Sequence, residues 1–327
     1  MSILGWTAGS IAAIVGGLAA TSAAIRSRSR AAVPADGAFA DMPGVRLHHV
    51  DRGSGVPVIE IHGLMGQMRN FHYGLTDLLA RDYRVIAIDR PGWGYSRLSG
   101  RRRPGIAEQA DMIAGFIVRN GIDRPVLVGH SLGGAISLAL AIRHPDAVRG
   151  LALIAPLTQP MAEAPPAFRG LLVPAALRPA VAWTLAPLMA TLAGAEKTRE
   201  IFAPEPVPGD FGTRAGALLG RTPEAFLAGA HELAVASGEV AALVPHYPSV
   251  RPPVAILFGR ADMVLDAKIH GTATAALIPG AQCTIVEGGH MLPVTQPEQT
   301  SDWVRATIAA MADGDKARAM PPPSIKG

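Results

Sequence analysis

A single cysteine, Cys283, stands in 327 residues, so the chain can form neither an internal disulfide nor a cysteine-rich metal centre. Cys283 reads as a small packed residue in a strand. Charge is also scarce: the net value of +4 is small for this length. The arginines fall in clumps, Arg26/Arg28/Arg30 and Arg101–Arg103, with no zinc-finger spacing and no aromatic residues interleaved among them. That pattern argues against a nucleic-acid partner. There is no internal repeat, no phosphate-binding loop and no metal-ligand spacing, so neither cofactor nor metal is expected. About half of the residues are apolar, enough to bury one large core, or a core plus an accessory domain.

What is present begins with an uncharged run, Ile3 to Ile25, followed directly by Arg26-Ser-Arg28-Ser-Arg30. As a helix this run would span roughly 34 Å at ~1.5 Å per residue, enough for a bilayer core. A cleaved signal peptide is the alternative, with small residues at Ala20–Ala24 for a cut, but its positive charge would precede the apolar run. The positive-inside rule puts the arginines and the body after them in the cytoplasm. A signal cleaved within residues 1–24 would instead make the body secreted or periplasmic. Residues 1–30 are therefore expected to be a membrane anchor with its basic flank, and 31–43 a linker. The charged, then Pro-rich stretch 313–327 is expected to be disordered.

Between these ends the pattern alternates. Short apolar runs at Gly44–Val50, Pro57–Ile61, Tyr83–Ile88, Pro125–Val128 and Gly150–Ala155 read as strands. Helical spacing falls between them at Phe71–Ala80, Ile106–Asn120 and Ala135–Ile142. Strand–helix alternation predicts an α/β fold, a mostly parallel sheet with helices on both faces. The alternation breaks at Pro156. Residues 157–250 are rich in Pro and Ala with helical patches, and read as an inserted helical cap. Strand signals resume at Pro253–Phe258 and Gln282–Val286, with helices at Asp266–Leu277 and from Pro297 to Met311. Residues 44–156 and 251–312 thus form the core.

The most informative stretch is Gly129-His130-Ser131-Leu132-Gly133, at the end of an apolar strand and the start of a helix without a polar face. In that context the serine sits on a tight corner with its hydroxyl pushed outward, beside the unpaired N–H groups of the new helix. Gly129 and Gly133 remove the Cβ atoms that would clash at such a turn. Where only the motif is present, a serine of this kind can be a simple helix cap; the flanking strand and helix favour a nucleophile.

The body, Gly44 to Met311, resembles the α/β-hydrolase fold family. Five motifs carry the resemblance in order: His62-Gly63-Leu64-Met65-Gly66, Asp89-Arg90-Pro91-Gly92-Trp93-Gly94-Tyr95-Ser96, the serine corner, Asp262 after the strand that follows the insertion, and Gly288-Gly289-His290. The resemblance implies a catalytic triad of Ser131, Asp262 and His290, in the family's chain order. Asp266, more simply a helix cap, and Glu287 are competing acids. The resemblance also implies an oxyanion hole from the backbone N–H groups of Leu64 and Leu132, with His62 ordering its loop rather than acting as a base. His144, His231, His246 and His270 read as surface or core histidines. Haloalkane dehalogenases and epoxide hydrolases of this fold use a carboxylate nucleophile, which the serine argues against.

Two features depart from the family pattern. Glu60 lies inside an apolar strand and needs a partner, expected from a nearby His or Arg, or a raised pKa. The cap carries no subfamily signature. Its Phe168, Leu171, Leu172, Leu177, Trp183, Leu185, Leu188 and Met189 either fill the cap's own core or roof the serine with apolar surface. Arg97 and Arg101–Arg103 are candidates for contact with anionic head groups. The resulting expectation is a membrane-anchored serine hydrolase acting on a carboxylic ester, with an apolar or lipid-like acyl group. C–C bond hydrolysis or perhydrolysis by the same triad, and a non-catalytic binding module, are the alternatives. Oligomeric state and natural substrate stay open.

Overall fold

The computed structural model describes residues 3–319, with side chains for residues 9–312. A nine-stranded sheet forms its centre: β1 (Ala38–Met42), β2 (Val45–Arg52), β3 (Pro57–Ile61), β4 (Arg84–Ile88), β5 (Arg97–Leu98), β6 (Val126–His130), β7 (Gly150–Ile154), β8 (Val254–Gly259) and β9 (Gln282–Val286). The order is β1-β2-β4-β3-β6-β7-β8-β9, with β5 paired to β2. Strands β4 to β9 along this path run parallel, and β1, β2 and β5 are antiparallel. The fully buried strands β6 and β7 are apolar throughout, as a sheet covered on both faces requires. This is the α/β architecture expected from the alternation.

Helices cover the sheet: α1 (Ile3–Ala32) precedes it, and α2 (Arg69–His72), α3 (Leu75–Leu79), α4 (Ile106–Arg119) and α5 (Leu132–Arg143) are wound between its strands. Every residue of α5 from Leu132 to Ala141 is buried, which explains its missing polar face. Between β7 and β8 the insertion, hereafter the cap, holds α6 (Arg178–Trp183), α7 (Ala186–Phe202) and α8 (Pro223–Leu243) with several 3-10 turns. The sheet is completed by α9 (Ala273–Leu277), α10 (Leu292–Thr295) and α11 (Pro297–Ala319).

The cap's apolar residues divide. Phe168 and Leu171 pack with Ala182, Ala186, Phe226 and Leu233 as the cap's own core. Leu172, Leu177, Trp183, Leu185 and Met189 remain exposed. Among the described residues, Gly9–Ala32 and Pro223–Ser249 are long and apolar enough to cross a membrane. The second is built into the cap, with Ala225, Phe226, Leu233 and Val240 buried. The first is exposed along Gly9–Gly17.

Several local expectations change. Residues 31–43 are not a linker: α1 continues to Ala32, and 38–42 form an edge strand on β2. The helical run at Phe71–Ala80 is two short helices parted at Gly74, where a Cβ would press on Pro297. Part of the 313–327 tail is helical, since α11 continues to Ala319; residues 320–327 lie outside the described residues. The helix expected from Asp266 opens as a π-helical turn at Ala267–Thr272. The half-buried Cys283 lies in β9 and packs against the main core.

The partner of Glu60 is neither His nor Arg. Its carboxyl is fully buried in β3, with Oε2 2.6 Å from Thr76 Oγ1 and Oε1 without a protein partner. Burial pushes the carboxyl up to about 8, against the opposing Thr76 hydrogen bond. An unfolded glutamate loses its proton near pH ~4.3, so above that pH the native state holds a proton the unfolded chain has released. Stability therefore falls as pH rises through this window toward 8. Glu60→Gln should remove the slope, leaving the variant more stable than the parent at pH 8 by up to about 4 kcal/mol. Urea unfolding at pH 5 and pH 8 measures this, and equal pH dependence in both proteins would refute it.

Candidate active site

The central strand β6 ends at His130, and α5 starts at Leu132. Ser131 makes the corner between them at φ 54° and ψ −121°, a conformation that costs an L-residue roughly 1–3 kcal/mol. Its N–H donates to Ile154 O at 3.1 Å, and its carbonyl accepts from Gly134 N and Leu157 N, both at 2.9 Å. At Gly129 a Cβ would lie 2.5 Å from Ser137 Oγ and 2.7 Å from Gly133 O. At Gly133 it would collide with Ile61 O and His62 O. The glycine thus lets the end of β3 pass directly over the corner, and brings its loop to the serine. A Cβ on Gly63 would lie 2.8 Å from Ser131 Cβ.

The loops after β8 and β9 reach the same edge of the sheet, outside the carboxyl ends of the parallel strands. Asp262 Oδ1 accepts from Val264 N at 2.8 Å and Leu265 N at 2.9 Å. Its Oδ2 accepts from His290 Nδ1 at 2.8 Å, with both side chains almost wholly buried. Burial alone would raise the Asp262 carboxyl; the His290 imidazole and the two amides outweigh it and hold the group below its usual range. The competing acids lie elsewhere. Asp266 caps the following turn through Lys268 N and Ile269 N, and Glu287 is exposed and paired with Arg260 at 2.8 Å.

The carboxylate fixes His290 with Nε2 as the free face of the ring. From the other side, His130 Nε2 lies 3.0 Å from the His290 carbonyl, and the two rings are 4.8 Å apart. His130 is the residue before the serine, so His290 sits beside the corner. Among the described residues the Ser131 hydroxyl makes no hydrogen bond to the imidazole, as is common where base and nucleophile engage only with substrate bound. Burial pushes both His130 and His62 down to about 3, so neither adds a positive charge to oppose an imidazolium at His290.

The Leu132 N–H, at the first position of α5, has no partner within the helix. The Gly63–Leu64 peptide lies against the serine from the other side. His62 orders this loop as expected, its Nδ1 2.9 Å from Gly63 O and its Nε2 accepting Arg90 N at 3.0 Å. A serine alcohol, an imidazole held by a buried carboxylate, and two amides at one corner can together perform nucleophilic acyl transfer. No three His, Cys, Asp or Glu side chains cluster as a metal site among the described residues.

This framework is matched by the family model for the alpha/beta hydrolase fold over residues 56–297. The chain belongs to that family. Esterases, lipases, epoxide hydrolases and dehalogenases are among the proteins this alpha/beta hydrolase resembles. It is 38% identical over 122 residues to the dihydrolipoyllysine-residue acetyltransferase component of the acetoin cleaving system of Cupriavidus necator, covering 36% of this chain and 32% of that protein. The chain thus spans about a third of that curated relative's length. In structure it resembles a thermophilic esterase from Thermogutta terrifontis, with TM-score 0.68 and 24% identity over 84% of this chain and 97% of that one. It also resembles a bacterial membrane phospholipase A, with TM-score 0.64 and 24% identity over 95% and 96% of the two chains. Likeness at that identity carries the fold alone.

Several residues around the site of this alpha/beta hydrolase escaped the sequence reading. His130 was hidden as the variable position of the serine motif. Glu205, from the cap, accepts the Gly289 N–H through both oxygens at 3.0 and 3.1 Å, one residue before His290. Glu232, also from the cap, meets the buried Arg90 of the Asp89–Ser96 motif. Both contacts cross long stretches of chain, 84 residues for Glu205 to Gly289 and 142 for Arg90 to Glu232, and leave no local signal.

The strain at the corner is measurable. At position 131, glycine should be more stable than alanine by about 1–2 kcal/mol. Urea unfolding of Ser131→Gly and Ser131→Ala tests this, and equal midpoints would show the corner to be relaxed.

Proposed function

We propose that this protein is a serine hydrolase that cleaves carboxylic esters with apolar acyl groups through an acyl-enzyme. The observation that carries the reading is the buried Asp262–His290 pair, 2.8 Å apart, beside a strained serine. In this mechanism His290 Nε2 takes the Ser131 proton as Oγ attacks the ester carbonyl carbon. The carbonyl oxygen becomes an oxyanion and accepts from Leu64 N–H and Leu132 N–H, donors worth roughly 3–4 kcal/mol each in such sites. Collapse breaks the ester C–O bond, and the imidazolium gives its proton to the departing alcohol. Water, deprotonated by the same imidazole, then attacks the acyl-enzyme, releasing the acid and restoring Ser131. Asp262 holds the tautomer and stabilises the imidazolium without taking its proton. With serine at the corner, the alkyl-ester chemistry of a carboxylate nucleophile is not available.

Substrate class follows from the roof. The cavity over Ser131 is lined by Leu64, Leu157, Met161, Phe168, Leu233 and Val264, among others. Its charged side chain, Glu232, is neutralised by Arg90. Such a cavity suits an acyl chain rather than a charged one. A membrane source for it fits the neighbouring surface. Leu185, Met189 and Leu192 are exposed on or beside α7, and α7 and α6 pack against α1, where Ser22 Oγ donates to Thr184 O at 2.8 Å. We place α1 in the membrane as an anchor, with this apolar side of the cap toward the lipid and the body on the cytoplasmic side. The arginines give less support to head-group contact: Arg102 is paired with Glu108 at 2.6 Å, and Arg103 is half-buried.

A fluorophosphonate probe should label the protein, and Ser131→Ala should abolish labelling while lowering ester turnover by on the order of 10⁴-fold or more. Within a p-nitrophenyl ester series, activity should rise with acyl length. A folded protein that resists the probe would instead be a binding module. Cleavage of a β-diketone in preference to every ester would move the reaction to C–C bonds.

The membrane arm has its own test. Leu185→Asp/Met189→Asp/Leu192→Asp should hydrolyse soluble p-nitrophenyl butyrate at the parent rate, and lose on the order of tenfold on esters embedded in vesicles. Equal loss on both substrates, or none on either, would remove the apolar face from the reading.

A further inference from the structure

We propose that Glu232 of the cap is a positioning residue for the oxyanion hole, acting through Arg90 on the Gly63–Leu64 peptide; this rests on the serine-hydrolase reading above. Three donors converge on the Gly63 carbonyl: His62 Nδ1 at 2.9 Å, Gly66 N at 3.2 Å and Arg90 Nη2 at 3.0 Å. A peptide group is planar and trans, so fixing its carbonyl direction fixes the Leu64 N–H pointing the opposite way. The same three donors polarise the group and strengthen that N–H as a donor.

Arg90 is fully buried, and an unpaired guanidinium would not stay there. Glu232 meets it fork to fork, Nη1 to Oε1 at 2.6 Å and Nη2 to Oε2 at 3.0 Å. Trp93 Nε1 and Gln109 Nε2 also donate to Glu232 Oε1, each at 2.8 Å, and Arg90 Nη1 donates to Gln109 Oε1 at 2.7 Å. Four donors engage the carboxylate, three at Oε1 and one at Oε2, so although it borders the cavity over Ser131 its charge faces Arg90. Its effect on chemistry runs through the guanidinium it holds. Cap and core are joined here, because Glu232 lies in α8, while Arg90 and Trp93 lie in the loop after β4 and Gln109 in α4.

A residue that only held the cap in place would alter stability or substrate binding. One that aims an oxyanion donor would alter transition-state binding. Glu232→Gln, assayed on p-nitrophenyl butyrate, should lose about 10- to 100-fold in kcat with KM within about twofold. Affinity for a trifluoromethyl ketone, whose adduct places an oxyanion in the hole, should fall by the same factor. If Glu232→Gln does not fold, Arg90→Met/Glu232→Leu replaces the buried pair with apolar groups, a change such sites often tolerate, and should show the same kcat loss. Hydrogen exchange of the 61–68 segment should quicken in either variant, a readout independent of turnover. Unchanged kcat and ketone affinity in a folded variant, or a loss confined to KM, would overturn the proposal. A parent protein inert to esters and probe, but with exchange at 61–68 still governed by Glu232, would instead sink the hydrolase reading and leave the contact standing.

Discussion

The backbone at Ser131 sits in a region that L-residues avoid, and the surrounding structure exists in large part to hold it there. The corner is clamped by the carbonyl at the end of β7, by amides of α5 and of the segment after β7, and by β3 passing over Gly133. Such strain is tolerated only where neighbours over-determine it. The clamp also explains why α5 is buried on every side: the helix that starts at the corner must lie against the centre of the sheet. Because β3 crosses so closely, its loop arrives at the serine with backbone amides in place rather than side chains.

Around that corner the core supplies Ser131, Asp262 and His290, and the cap supplies restraint. Glu205 holds the loop that carries His290, and Glu232 holds the arginine behind the Gly63 peptide. Each is a carboxylate reaching from the insertion to one side of the site. An accessory segment of this kind lines the cavity over Ser131 and at the same time stiffens loops that would otherwise be among the least stable parts of the fold. His62 and His130 contribute differently. Buried and uncharged, they serve as hydrogen-bonding spacers on either side of the serine corner.

How much of this could be read beforehand depended on the range of the interaction. The strand–turn–helix at Ser131 is written in contiguous residues; Asp262 and Asp266 both accept from amides two and three residues on, and the contact of Asp262 with His290 that separates them is long-range. The parallel sheet was legible from alternation. The edge strand at 38–42 was not, because none of its residues is fully buried and no apolar pattern is imposed on it. The break at Gly74 depends on Pro297, more than two hundred residues away. Glu60 illustrates the same limit: the strand showed that a carboxyl was out of place, but a threonine 16 residues later, in α3, answers it. Glu205 and Glu232 lie in a segment whose composition announces helix and little else, and their partners become visible only when the insertion is folded over the core.

The junction between α1 and the body is rigid. The helix runs without interruption from Ile3 to Ala32, roughly 45 Å at ~1.5 Å per residue. Its last turns are bolted down: Arg26 to Glu224 at 2.6 Å, and the Tyr95 hydroxyl to Val33 O just past its end at 2.5 Å. It is therefore a mast and not a tether. Whatever holds the exposed stretch Gly9–Gly17 holds the body with it, and the bearing of the cavity mouth is set by the tilt of a single rod.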